Sequence, residues 1–280
     1  MGKIKLNNKV AVVILNYKSW QDTLKEIDIC YNILKINYND IIVVDNDSPN
    51  DSLLQLRKES QIKKFILISS DCNRGYAAGN NIGMRYALSE GYRYALILNN
   101  DIVIDDGEAV QKMLDVFKQD NLVATVSPDV YSPNGYMFNR DAIRPSFWDF
   151  TVGILNYKKK GRKVVDLGGY GYVYRPQGCC FLSDLYKMQK VDFMDEETFL
   201  YCEEIILAER LLKKGYRCAN CKINIIHNHS KTVKSVFDKK NIIKMNNNSF
   251  RYYLKHYREY SPFKVFMCLL FNYIKLIILR

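Results

Sequence analysis

The chain has 280 residues, 48% of them hydrophobic and 25% charged, enough to bury a sizeable core in one or two domains. That composition excludes a disordered, collagenous or multi-span membrane chain. The formal charge of +11 is unevenly placed: residues 1–210 carry 26 Lys+Arg against 28 Asp+Glu, and residues 211–280 carry 15 against 2. A near-neutral body with a basic tail points to a polyanionic partner for the tail or to a solvated helical face.

The opening MGKIKLNNKVAVVILNYKSW contains a short apolar run but no small-residue cleavage pattern, so it reads as a buried strand and not a signal peptide. The eight Cys, at 30, 72, 179, 180, 202, 218, 221 and 268, form no disulfide framework and fit the reduced thiols of a cytoplasm.

In chain order, a strand over Val10–Asn16 is followed by a helix over 20–35, a strand over Ile41–Asp45 by a helix over 50–60, and a strand over Phe65–Ser69 by a helix over 77–90. The strand Tyr94–Asn99, a helix over 107–119 and the strand Val123–Pro128 continue the alternation. Short β-branched runs that alternate with helices predict a doubly wound α/β domain with a mostly parallel sheet covered on both faces. The ligand crevice of such a sheet lies beyond the carboxyl ends of its strands. Asn16-Tyr17, Asp45-Asn46-Asp47, Asp71–Gly75 and Asn99-Asn100-Asp101 should therefore converge there.

Residues 129–177, rich in Tyr, Gly and Pro and including KKKGRK at 158–163, read as loops with short strands. In the block that follows, Ile205, Ala208, Leu211 and Leu212 stripe a helix that opens near Glu203 and closes at Gly215.

Four places carry chemistry, each with a plainer alternative. In LILNNDIVID, Asp101 ends a buried strand, where a carboxylate can hold Mg²⁺ or Mn²⁺ or can simply start a turn. NRGYAAGNNIG at 73–83 matches neither a P-loop nor a dinucleotide fingerprint; its Gly residues allow close backbone approach to a ligand or tight helix-to-sheet packing. Glu203 and Glu204 in FLYCEEIILAER offer a general base, or are acids favoured at a helix N-terminus. Cys218, Cys221, His227 and His229 invite a zinc reading, but their spacing is tighter than a zinc finger's, and a His227 that shares the Asp101 metal is the stronger reading.

Taken together, VVILNY, VVDNDSPNDS, NRGYAAGNNIG, LILNND, GCCFL and MDEETFLYCEE resemble the inverting, nucleotide-sugar-dependent glycosyltransferases of family two, in particular the rhamnosyltransferase-like branch, over residues 10–235. The resemblance implies a GT-A fold: a Rossmann-like, mostly parallel central sheet flanked by helices. It implies donor contacts from Asn16, Asp45, Asn73, Gly75, Asn99 and Asp101, a metal (Mg²⁺ or Mn²⁺) held by Asp101 with His227, and Glu204 as the general base preceded by Glu203. The implied donor is dTDP-rhamnose or a UDP-sugar, and the implied acceptor is a glycan or lipid-linked glycan. The sequence departs from the family pattern in three places. Asn99 stands for the first metal-motif acid, Ile206 for an acid two places after the base, and Glu204 for the usual Asp.

Residues 1–235 are thus expected to form the transferase domain, with 1–128 as the nucleotide-sugar half and 129–235 as the acceptor half. Residues 236–280 form a basic amphipathic helical region. Its Val265–Phe271 run is far shorter than the ~20 residues of a membrane span. With Lys239, Lys240, Lys244, Arg251, Lys255 and Arg258 upstream, it reads as an interfacial helix on an anionic leaflet, the alternative being a core or homodimer helix. Two other functions stay open. A nucleotidyltransferase would need a Gly-rich, Arg-containing N-terminal loop, where this chain has NYKSW. A nucleic-acid-binding module would use the basic, aromatic tail, yet no recognised motif accompanies the charge, and the transferase reading itself has no nucleic-acid partner.

Overall fold

The structure, a computed structural model, describes residues 9–138, 142–153, 164–228 and 238–278. Strands β1 (Val10–Asn16), β2 (Ile41–Asp45), β3 (Ile66–Ser69) and β4 (Tyr94–Leu98) run parallel in the order β3-β2-β1-β4. They are joined by α1 (Trp20–Asn32), α2 (Ser52–Lys63) and α3 (Tyr76–Ser89). Alternate side chains serve opposite cores: Val12, Ile14, Val43 and Leu96 face one, and Ala11, Val13, Val44 and Ile97 the other. Burial on both faces is why these strands read as unbroken apolar runs.

The second half departs from the expected parallel pattern. After β5 (Ile102–Val103), α4 (Ala109–Gln119) and β6 (Val123–Tyr131) come the short helix α5 (Phe147–Phe150), β7 (Tyr170–Val173), β8 (Cys180–Asp184), α6 (Leu185–Lys190), α7 (Glu203–Lys213) and β9 (Arg217–His227). The sheet continues β4-β8-β6-β9-β5, with β7 also paired to β9. The wholly buried β8 occupies the place between β4 and β6 and is antiparallel to both. Among the described residues the result is a mixed nine-stranded sheet flanked by helices, parallel across β3-β2-β1-β4.

The chain closes with an antiparallel helical hairpin, α8 (Lys239–His256) and α9 (Pro262–Ile278), in which Asn272 donates to Asn246 and Asn247 at 2.9 and 2.8 Å. Phe250, Tyr253 and Leu254 of α8 and Val265 and Cys268 of α9 enclose Ile206 of α7, forming a third core. The apolar residue found where an acid was expected is therefore the seat of this hairpin. No described helix is long and apolar enough to cross a membrane.

Candidate active site

The carboxyl ends of β1, β2 and β4 converge, as the strand-end rule requires. Asn16 and Asp45 are adjacent in register and wholly buried, with Asn16 Nδ2 donating to Asp45 Oδ2 at 2.7 Å. Ser48 completes the turn, its N–H and hydroxyl donating to the two Asp45 oxygens at 3.0 and 2.8 Å. Thr23 of α1 donates to Asn16 Oδ1 at 2.8 Å and accepts from Asn100 Nδ2 at 2.8 Å; Asn100 Nδ2 also donates to Ser19 Oγ at 2.9 Å. An unbroken relay thus links Asp45 to the residue before Asp101. The Asn16 carboxamide thus joins Asp45 to Thr23 within the crevice wall.

Asn73 and Gly75 form the neighbouring wall. Asn73 Oδ1 accepts from Asn46 Nδ2 at 2.9 Å and from the Gly75 N–H at 3.0 Å. Gly75 has φ +95°, and a Cβ there would lie 1.9 Å from the Phe199 carbonyl oxygen, so only glycine fits where this loop meets the segment before α7. Gly79 and Gly83 serve the plainer purpose: a Cβ on either would lie 2.4 Å from Leu15 or Val13, so these two bring α3 onto the sheet.

Asp101 is aimed by its neighbours on both sides. The two-residue β5 that follows it pairs with the end of β9, setting Ile102 opposite His227, and the Asp101 carbonyl accepts from the Asn228 N–H at 3.0 Å. Glu26 of α1 accepts from the Ile102 N–H at 3.3 Å. Burial pushes the Glu26 carboxyl well up, and the nearby Asp101 charge adds to the rise. Asp101 Oδ1 and His227 Nε2 consequently lie 3.1 Å apart. That separation suits two neighbouring ligands of an octahedral cation with bonds of about 2.1 Å, and oxygen with imidazole suits Mn²⁺. Among the described residues no set of three or more His, Cys, Asp and Glu converges for a metal, so a cation here needs further ligands from water or a bound substrate. Asn99, two residues earlier, is held through its N–H by the Cys179 carbonyl at 2.9 Å.

The acids of α7 divide as adjacent helix positions must. Glu203 is buried, its Oε1 without a hydrogen-bond donor among the described residues, and its carboxyl is pushed up to about 8, first by burial and then by the Glu204 charge. Glu204 lies against the β7–β8 loop, where a Cβ on Gly178 would come within 2.1 Å of its Oε1. Tyr76 donates its hydroxyl to the Gly178 carbonyl and has its phenol pushed well up by burial and then by Glu204. Gly178 abuts Glu204 while the carbonyl of the next residue, Cys179, holds Asn99, so this loop end lies between Glu204 and the strand end that leads into Asp101. The Cys179 thiol is raised chiefly by burial, then by Asp101 and Glu204. Tyr201 and Cys202, at φ 74° and 71°, are two successive left-handed non-glycine residues just before α7. Such a conformation costs about 1–3 kcal/mol per residue and persists only where the surroundings over-determine it; here it aims the helix start at the crevice.

The zinc reading fails on strand geometry. Cys218 and Cys221 are three apart in β9, and their side chains enter opposite cores; His229 lies outside the described residues, as does the KKKGRK run. Asn100 was placed in the crevice by the strand-end rule, but the roles of Thr23, Glu26, Tyr76 and Gly178 escaped sequence reasoning because each acts through a partner dozens of residues away. Only Gly178, beside the buried CCFL run, carries a local hint.

Residues 11–180 match the model of glycosyl transferase family 2. The chain belongs to that family. It is 26% identical over 224 residues to the low-salt glycan biosynthesis hexosyltransferase Agl10 of Haloferax volcanii, a match spanning 78% of this chain and 67% of the relative. Its fold is similar to that of the mannosyltransferase PcManGT of Pyrobaculum calidifontis, solved with GDP-Man and Mn²⁺ (TM-score 0.61, 14% identity, 96% of this chain and 69% of that one). It is also similar to GalNAc-T7 solved with UDP, GalNAc and Mn²⁺ (TM-score 0.58, 13% identity, 78% and 43%) and to S. aureus TarS solved with UDP-GlcNAc (TM-score 0.55, 12% identity, 96% and 72%). The chain is a glycosyltransferase with the expected GT-A-like architecture.

Proposed function

We propose that this transferase is inverting and moves a sugar, rhamnose by preference, from dTDP-rhamnose or a UDP-sugar to a hydroxyl of a glycan or lipid-linked glycan in cell-surface polysaccharide synthesis. The observation that supports the reading is the Asp101–His227 pair at 3.1 Å beyond the end of β4, with Glu204 against Gly178 and the adjoining Cys179 carbonyl holding Asn99, two residues before Asp101. Asp45, held by Asn16 and Ser48, and the Asn73–Gly75 loop form the nucleoside side of the crevice. Asp101 and His227 fit Mn²⁺ or Mg²⁺, which when bound would neutralise charge on the departing diphosphate. Glu204 accepts the proton of the acceptor hydroxyl as its oxygen forms a bond to the anomeric carbon and the bond from that carbon to the nucleotide breaks. Attack from the face opposite the nucleotide inverts the configuration. Glu203, kept neutral by burial, adds no second negative charge beside the base at neutral pH.

In this reading residues 1–235 are the transferase domain and 236–280 a tail that brings the enzyme to the inner face of the cell membrane. A thermal-shift screen of nucleotide sugars with and without Mn²⁺ tests donor choice, because a ligand of the folded state raises apparent stability by mass action. A Mn²⁺-dependent rise with dTDP-rhamnose larger than with UDP-sugars or GDP-mannose supports the reading, and a larger rise with another donor replaces the sugar. Formation of a nucleotide sugar from sugar phosphate, in place of sugar transfer, would overturn it.

A further inference from the structure

The structure sorts the tail into two faces that its sequence leaves mixed. On α9 the buried Val265 and Cys268 point into the third core, whereas Phe263, Phe266, Leu270, Tyr273 and Ile274 are exposed, Phe263 and Phe266 by 69% and 60%. At 3.6 residues per turn these five fall within an arc of about 100°. Trp148, 65% exposed on α5, extends the apolar character: Phe147 beside it packs on Tyr260, at the foot of α9. On α8, Lys240, Lys244, Arg251 and Lys255 are exposed within an arc of about 60°, opposite the buried Ile242, Phe250 and Tyr253. Arg258, grouped with these cations by sequence, is instead enclosed: it donates to the Pro145 carbonyl at 2.7 Å and to the Tyr253 hydroxyl at 3.0 Å.

The hairpin that carries these faces is bolted to the helix bearing the catalytic carboxylate. Glu209, on α7 with Glu204, receives both guanidinium arms of Arg144 at 2.8 and 2.7 Å and the Tyr174 hydroxyl at 2.6 Å. Tyr253 of α8 joins through Tyr174, hydroxyl to hydroxyl at 2.9 Å. Ser249 donates to the Leu200 carbonyl at 2.7 Å, just before the left-handed pair that aims α7.

We propose that the exposed aromatic face of α9, with Trp148 and the basic row of α8, is a docking surface for an anionic lipid leaflet, and that it is a rigid platform fixed to α7 and not a detachable tether. Charge complementarity chooses the occupant. Lys239–Lys275 holds eight Lys+Arg and a single acid, Glu259, while residues 1–210 are net −2. Aromatic and aliphatic side chains beside a row of cations suit the boundary between acyl chains and acidic headgroups. A second copy of this face would bring like charges together. The proposal rests on the membrane placement in the reading above, but vesicle binding is measured without donor or acceptor, so docking and sugar transfer fail separately.

The test is sedimentation of the full chain with phosphatidylcholine vesicles containing or lacking phosphatidylglycerol, paired with Trp quenching by lipids brominated in the acyl chain. The expected result is binding to the anionic vesicles only, weakened at least tenfold by 0.5 M salt, by F263S/F266S and by K244E/R251E/K255E. These exposed substitutions should leave the thermal midpoint near that of the wild type. Trp148 should be quenched along with binding, and W148F should remove the quenching. No binding to anionic vesicles overturns the docking surface, as does vesicle-free self-association abolished by F263S/F266S. Binding without quenching of Trp148 overturns the rigid platform.

Discussion

The crevice and the C-terminal hairpin meet on α7, and they are braced by different physics. The crevice wall is held by short side-chain hydrogen bonds between buried polar groups, from Asp45 through Asn16 and Thr23 to Asn100. The hairpin is held by aromatic and aliphatic packing around Ile206, with one charged knot at Glu209. Hydrogen bonds fix direction, which ligand recognition requires, and they lose most when one partner is removed. Apolar packing fixes position over a broad area and tolerates small changes of shape. Damage to the crevice should therefore appear in kinetic constants and damage to the hairpin in stability.

The largest kinetic effect belongs to Glu204. Glu204→Gln should lower kcat by about 10²–10⁴-fold, the range for a lost general base, with the thermal midpoint almost unmoved; turnover near that of the wild type would remove Glu204 from the chemistry. Asp101→Ala should abolish the added thermal shift that Mn²⁺ gives in the presence of donor. A Mn²⁺-dependent shift that persists in this variant would place the cation elsewhere.

On the hairpin side the largest effect is Glu209→Ala, which removes the partner of Arg144 and of two buried hydroxyls. Arg144 is half exposed and can turn to solvent, so the loss is that of the hydrogen bonds to the buried carboxylate, about 1.5–3 kcal/mol, read as a fall in denaturation midpoint. A loss below about 1 kcal/mol would show that packing alone holds the hairpin.

Thr23→Val sharpens the contrast, since it keeps the shape and deletes the hydroxyl. It should raise the donor KM several-fold, cost about 1–3 kcal/mol in stability for the unmet amide groups, and be rescued by Thr23→Ser. An unchanged KM would make the relay purely structural.

The effect that depends on pH is that of Glu203. Its carboxyl ionises near 4.5 when unfolded and about 8 when folded. Between those values the native state keeps a proton that the unfolded state releases, so stability should fall as pH rises through this window and level off above it. Glu203→Gln should flatten that slope in thermal midpoints taken from pH 5 to 9.

Much of this was legible in the sequence where burial is symmetrical. β1 and β2 were read with their observed bounds because strands buried on both faces are unbroken apolar runs. β8 was not read as a strand because CFLSD carries no period of its own and is defined by the gap between β4 and β6 that it fills. Asp101 and His227 were paired on chemistry; the device that joins them, a two-residue β5, is too short to leave a pattern. In the tail, charge counting grouped Arg258 with the surface lysines, because its role depends on Tyr253 and Pro145, which folding alone brings to it.

The central claim is that Glu204 and the Asp101–His227 pair form one inverting transferase site. The most direct measurement is NMR observation of the first anomer of sugar released from the preferred donor when water serves as acceptor, with Mn²⁺ present. The account predicts an anomer of configuration opposite to that of the donor, formed by the wild type and lost in Glu204→Gln; release with retained configuration, or undiminished release by the variant, would contradict it.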